Sequence, residues 1–296
     1  MPKKSLELGR ILIIKPKSNE VAGLKLSYEE IKSFNPEFLK KIEQEKEDKA
    51  KAKLEKEKLE AEEKAKLEAK LDYKNAPLSI IVTDLGQNKK LLKNAEKLPK
   101  EVNFAFSPYS DDLPKKIEAT IKSGRQALLT LMFEPSGFPI KDTGPLTIIS
   151  VADPNKNLEK ITKTIGEIKN YSGFITNEGE IISQNLDVIS PILKQIRDLG
   201  KFFGYHKISV NTFLENEAKP LAVDIFAIDF IIDEKLDEKE ILTKLKIVED
   251  EILVKKRKIV ISLKPYKISI DILSKWLEAN SGKINIAPIT YFVTDN

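Results

Sequence analysis

From Asn75–Pro77 onward the chain alternates short apolar runs with amphipathic stretches. The runs are Leu78–Thr83, Val102–Ser107, Ala127–Phe133, Ser172–Thr176, Lys201–Tyr205, Val223–Ile232, Lys258–Leu263 and Ile284–Phe292. They are rich in β-branched and aromatic residues and are short, as buried strands are. Most are separated by segments with helical spacing: Lys89–Leu98, Asp112–Ser123, Leu158–Lys169, Asp187–Leu199, Glu238–Lys255 and Ile270–Ala279. Strands that alternate with helices are joined by crossovers and lie parallel. Eight such runs predict a (β/α) barrel or a distorted version of one, with an open doubly wound sheet as the alternative. No Gly-x-Gly-x-x-Gly or phosphate-loop pattern follows any run, so nucleotide binding has no motif behind it.

The first quarter of the chain has a different texture. Residues 1–36 hold one short apolar run and an Asn35–Pro36 turn signal. Residues 37–74 lack Gly and Pro, are dense in Ala, Leu, Glu and Lys, and carry many Glu–Lys pairs four apart. Leu54, Leu59, Leu67 and Leu71 keep no heptad register, which argues against a coiled coil. This predicts a charged helix, read as a solvated spacer or as a helix that binds a protein partner. The domain organisation expected is a segment at 1–36, a helical spacer at 37–75 and a barrel at 76–296.

Composition narrows the function classes. The 296 residues include 50 basic and 46 acidic side chains, a net charge of +4 with signs mixed along the chain. A nucleic-acid partner, which selects a basic face, is not expected. The chain has no cysteine, which removes disulfides, thiolate metal sites and cysteine nucleophiles. The Ile11–Ile14 run is too short for a signal peptide, and no run approaches the ~18 apolar residues of a membrane span. A soluble chain is expected as written. The chain has a single histidine, His206.

In a parallel barrel, chemistry sits at the C-terminal strand ends. Those positions carry Asp84, Pro108–Tyr109, Glu134, Asn177–Glu178, Tyr205–His206, Asp224 or Asp229, and Lys264. Each has a plainer reading. Asp84 suits the cap of a helix beginning near Gln87, and Lys264 suits a countercharge or a solvated lysine. Tyr109 offers either a ring for a sugar to stack on or part of a turn. The long irregular loop after Glu134, with Phe138, Pro139, Asp142, Gly144 and Pro145, suits a lid, a specificity element or a packed surface loop.

Several motifs fall in a familiar order: IIVTDLG (80–86), LPKEVNFAFSPY (98–109), LLTLMFEP (128–135), FPIKDTGPLTI (138–148), SGFITNEGE (172–180) and IAPIT (286–290). Over roughly residues 76–292 the chain resembles the divergent polysaccharide deacetylase family. That resemblance implies a distorted (β/α) barrel, a glycan substrate, a cell-envelope or periplasmic setting, and a divalent ion held by one aspartate and two histidines. The family's Asp-Asp-Leu-Gly element reads Thr83-Asp84 here, and its Met-Glu-Pro element reads Phe133-Glu134-Pro135. The Asn-His-Met-Gly element reads Thr176-Asn177-Glu178-Gly179. The Gly-His-Pro element reads Leu263-Lys264-Pro265. The acidic element after the fifth strand falls at Gly204-Tyr205-His206, without an acid.

Only Asp84 and Glu134 carry over intact as candidate catalytic groups. Tyr109, Asn177, Glu178, His206, Asp229 and Lys264 remain as candidate substrate-binding groups. One imidazole cannot supply two histidine ligands, so no metal or cofactor is expected of the ancestral kind. The leading expectation is a deacetylase-like barrel with a degenerate metal site and a glycan-binding or structural role. The alternatives are a scaffold acting through the 37–74 helix and an active hydrolase. That hydrolase would use either a hard cation on oxygens from Asp84, Glu134, Asn177 and Asp229, or Glu134 as a general base.

Overall fold

The computed structural model describes residues 44, 77–176, 185–207 and 213–293. The chain divides into two units, Met1–Leu71 and Asp72–Asn296. All that follows concerns the second. The charged stretch 37–75 lies outside the described residues except for Gln44, which is helical.

Among the described residues, eight parallel strands form one nearly closed sheet with seven helices. In chain order the elements are β1 (Leu78–Leu85), α1 (Lys89–Ala95), β2 (Asn103–Phe106), α2 (Leu113–Lys122), β3 (Ala127–Thr130) and α3 (Pro154–Ile165). Then come β4 (Gly173–Ile175), α4 (Leu186–Asp198), β5 (Phe202–His206), α5 (Phe213–Ala218), β6 (Ile225–Ile228), β7 (Phe230–Ile231), α6 (Glu238–Leu253), β8 (Ile259–Leu263) and α7 (Lys267–Ala279). The strand order is β6-β5-β4-β3-β2-β1-β8-β7.

The two edge strands of that order are neighbours in sequence, separated only by Asp229. β6 pairs with β5, and β7 pairs with β8. One run, Ile225–Ile231, therefore bridges both edges of the sheet and rounds it into a barrel. Asp229 makes the switch. Its N–H donates to Val260 O at 2.8 Å, and its Oδ2 accepts from Val260 N at 2.8 Å. The carboxylate thus serves a backbone donor that the interrupted ladder leaves over.

The expected run Ile284–Phe292 is not a strand. It makes one parallel bridge, Leu78 to Ile286, and then a 3-10 turn at Ile289–Tyr291. Pro288 has no N–H for a ladder, and Asn103 draws the segment under the barrel instead. Asn103 Oδ1 accepts from Ile289 N at 2.9 Å, while its Nδ2 donates to Ile80 O at 2.8 Å and Ser79 Oγ at 3.1 Å. Ser79 Oγ in turn donates to Ala287 O at 3.0 Å. The C-terminal run is thereby a plug at the N-terminal end of the strands.

Strand alternation sorts the core into two layers. Ile80, Val82, Phe104, Phe106, Leu129 and Phe174 pack outward against helix residues such as Ile117, Ile161 and Ile189. Ile81, Ala105, Leu128, Ile175, Phe202, Phe226 and Val260 point inward and meet Ile289 of the plug. Glycine makes room for the inner rings. A Cβ on Gly204 would come within 2.1 Å of the Phe226 ring, and one on Gly173 within 2.4 Å of Phe202.

Helix starts follow local chemistry. Asn88 caps α1, accepting from Lys90 N at 2.9 Å. Asp153 precedes Pro154 at the head of α3, and Asp237 caps α6. Asp112 does not cap α2: it sits at φ 51° and makes no side-chain cap bond.

Candidate functional site

Above the apolar inner layer the barrel turns polar. Thr83, Thr130, Thr176 and Ser262 are buried at the C-terminal end of the strands. They line a cavity of about 550 Å³ together with Asp84, Leu131, Met132, Phe133, Thr143, Ile231, Asp233, Glu234, Leu236, Lys264 and Tyr266. This is the barrel mouth, where a parallel barrel carries its chemistry.

Asp84 enters the mouth by a local distortion. The β1–β2 register pairs Val82 with Phe104 and Leu85 with Phe106, so one extra residue bulges from β1. Asp84 takes φ 56°, a left-handed conformation that L side chains rarely adopt. Its carboxylate does not cap the next helix, because Asn88 does. Instead its Oδ2 lies 3.1 Å from Lys264 Nζ, both side chains being half-exposed. Burial alone would lower the Lys264 pKa. The charge and hydrogen bond of Asp84, with Tyr266 and Asp233 nearby, hold it above its ordinary value, so the lysine is cationic at neutral pH.

Asp233 is the second carboxylate of the mouth, where Asp224 or Asp229 was expected; neither of those lines the cavity. It is 3% exposed. Its Oδ2 accepts from Lys264 N at 2.9 Å and from Ser269 Oγ at 2.7 Å. Its Oδ1 is buried with no hydrogen-bond partner among the described residues, and the same is true of Thr130 Oγ1. Burial raises the Asp233 pKa against the pull of Ser269, the Lys264 amide and the Lys264 charge. The sequence did carry a signal for both residues. Asp233 is the first residue after the run ending at Ile232, and Thr130 shares its strand face with Leu128.

Glu134 does not line this cavity. β3 ends at Thr130, so Glu134 stands four residues beyond the strand rather than at its tip. It is buried, and both oxygens are used: Oε1 accepts from Ser150 Oγ at 2.5 Å and Oε2 from Ser150 N at 2.8 Å. Tyr109 also serves the loop, its hydroxyl accepting from Leu146 N at 2.9 Å. Asn157 adds a two-way bond to Ile149. The loop after Glu134 is thus tied down from three sides and sends Thr143 into the cavity wall.

His206 ends β5 and is absent from the cavity lining. Burial holds its pKa below the ordinary value, against the charge of Glu234, so the imidazole is neutral at pH 7. Asp229 sits at the barrel closure, with Arg257 3.6 Å from its Oδ1. Asn177 and Glu178 lie outside the described residues.

The family resemblance implies a metal on one aspartate and two histidines. The residues present do not fit that group. The chain has one histidine, and it stands outside the cavity that holds Asp84. An ammonium 3.1 Å from Asp84 sits where a cation would have to bind. Among the described residues, no three His, Asp or Glu side chains gather in a way that could hold a metal ion. Glu134 and Asp229 are each committed to local partners and do not join Asp84.

Among the described residues no helix is long and apolar enough to cross a membrane. A search of curated proteins finds no match. Among solved structures, the fold is similar to that of an uncharacterized protein of Agrobacterium tumefaciens C58. The TM-score is 0.67 at 23% identity, over 73% of this chain and 88% of that one. A candidate cellobiose-phosphate cleavage protein of Enterococcus faecalis V583 gives a TM-score of 0.48 at 12% identity, over 73% and 98% of the two chains. The family model of divergent polysaccharide deacetylases matches residues 80–293, nearly the whole barrel, and agrees with the motifs read from the sequence. The chain belongs to the divergent polysaccharide deacetylase family.

Proposed function

We propose that this barrel binds a glycan, one of the cell envelope, at its C-terminal mouth and no longer hydrolyses it through a metal. The observation that carries this reading is the Asp84–Lys264 ion pair: the family's retained acid is neutralised by a lysine at the position of a family histidine. The lining supports a carbohydrate ligand. Thr83, Thr130, Thr176 and Ser262 offer hydroxyls to sugar hydroxyls, while Tyr266 and Leu236, both exposed at the rim, offer apolar surface to a ring face. A concave site with apolar walls and a few convergent polar groups is the usual form of a small-ligand pocket.

Calorimetric titration of the full chain tests the reading. Oligosaccharides built on glucosamine, acetylated or not, are expected to bind, and zinc is not. Tight one-to-one zinc binding that Asp84→Asn abolishes, together with metal-dependent release of acetate, would overturn it.

A further inference from the structure

The mouth holds one more negative charge than its lysines neutralise. Asp84 is paired with Lys264, and Glu234 with Lys244. Asp233 has no cationic side chain of its own. Its Oδ2 is occupied by the Lys264 amide and the Ser269 hydroxyl, and its Oδ1 is left over. Thr130 Oγ1, on β3, is also left over, and both residues line the same cavity. At 3% and 5% exposure neither is solvated as a surface group would be. Buried polar atoms are almost always bonded, and a buried carboxylate oxygen without a donor is the costlier kind of exception.

We propose that Asp233, with Thr130 across the barrel in the same lining, forms a subsite for a protonated amino group, so that the mouth prefers a glycan with a free amine to one with an acetamide. This rests on the glycan reading above. An ammonium supplies three donors and a full positive charge, which matches the leftover carboxylate oxygen of Asp233 and leaves donors for the hydroxyls of the lining. A sugar hydroxyl supplies one donor and no charge. An acetamide supplies one N–H, no charge and an acetyl group that needs room. Only the amine balances the mouth electrically. General attraction does not explain such a preference, because the chain as a whole is positive, at +4.

The test is calorimetry on the full chain with two oligosaccharides of equal length, one of glucosamine units and one of N-acetylglucosamine units. The amine form is expected to bind at least about tenfold more tightly, the range for a hydrogen bond to a charged group. Asp233→Asn is expected to bring the ratio close to one, and Thr130→Val to reduce it by a smaller factor. Equal binding of the two forms, or tighter binding of the acetylated one, would overturn the amine subsite and leave the glycan reading standing. A preference that survives Asp233→Asn unchanged would also overturn it. Binding of neither form would overturn both. The wild-type comparison needs no variant, so a misfolded Asp233→Asn would not blunt the test.

Discussion

Glu134 gives both of its carboxylate oxygens to a single residue, Ser150, one to the side-chain hydroxyl and one to the backbone N–H. A residue that sequence motifs mark as a catalytic acid thus fixes the far end of the loop that follows it. The hydroxyl bond is short and charge-assisted, and Glu134 is 6% exposed. Ser150→Ala should therefore leave a buried carboxylate oxygen without its donor and lower stability by about 1–3 kcal/mol. Urea unfolding of the two proteins measures this. A change below a few tenths of a kcal/mol would show that water serves the oxygen equally well.

The left-handed backbone at Asp84 separates strain from charge. Asp84→Ala loses the ion pair and keeps the strained φ of 56°. Asp84→Gly loses the same pair and relieves the strain. Because the pair is half-exposed, its loss should cost no more than about 1 kcal/mol. The glycine variant should then be the more stable of the two by about 1 kcal/mol. Equal midpoints in denaturant for the two variants would count against the left-handed geometry.

Asp233 should make the protein less stable as pH rises. Its folded pKa is raised above the ordinary 3.8. Below that value the carboxyl is protonated in both states and adds no penalty. As pH climbs through the raised folded value, the unfolded chain ionises more readily, and stability falls. Asp229, raised by its own burial, contributes in the same direction. Asp233→Asn removes one of the two groups. Its amide oxygen can take over the bonds to Lys264 N and Ser269, and its NH₂ replaces the oxygen that has no partner. The variant should be as stable as the wild type at neutral pH or more so, by up to about 1 kcal/mol, with a shallower decline above pH 4. Thermal unfolding followed from pH 3 to 7 reads both curves, and a steeper decline in the variant would refute the assignment.

Gly204 and Phe226 share one space inside the barrel. A methyl group at 204 would meet the Phe226 ring, whose neighbour Phe202 stands edge-on at 5.7 Å. Gly204→Ala should cost about 1–3 kcal/mol through overpacking. Gly204→Ala combined with Phe226→Leu should recover part of it. If the double variant merely sums two losses, the two side chains do not compete for that space.

Most of the architecture was legible in the sequence. Seven of the eight apolar runs hold strands, and the helical segments between them hold helices, because both are dictated by residues close together: β-branched alternation, amphipathic spacing, and caps such as Asn88 and Asp237. The short helix α5 lacked a strong enough pattern to be anticipated. The run ending at Phe292 had strand composition, yet Pro288 and the reach of Asn103 turned it into a plug. The run Val223–Ile232 read as one strand and became two, since Asp229 moves the chain from β5 to β8 as a pairing partner.

The candidate site divides the same way. The sequence by itself determined that a single histidine cannot rebuild a two-histidine metal site, and that Asp84 and Lys264 stand at strand ends; both follow from inventory and local pattern. Tertiary structure alone decided that Asp84 pairs with Lys264, that Glu134 turns to Ser150, and that Asp233 keeps one oxygen free in the mouth. The physical reason is that a carboxylate's role depends on which donors reach it and how much water is excluded, and those donors come from segments far away along the chain.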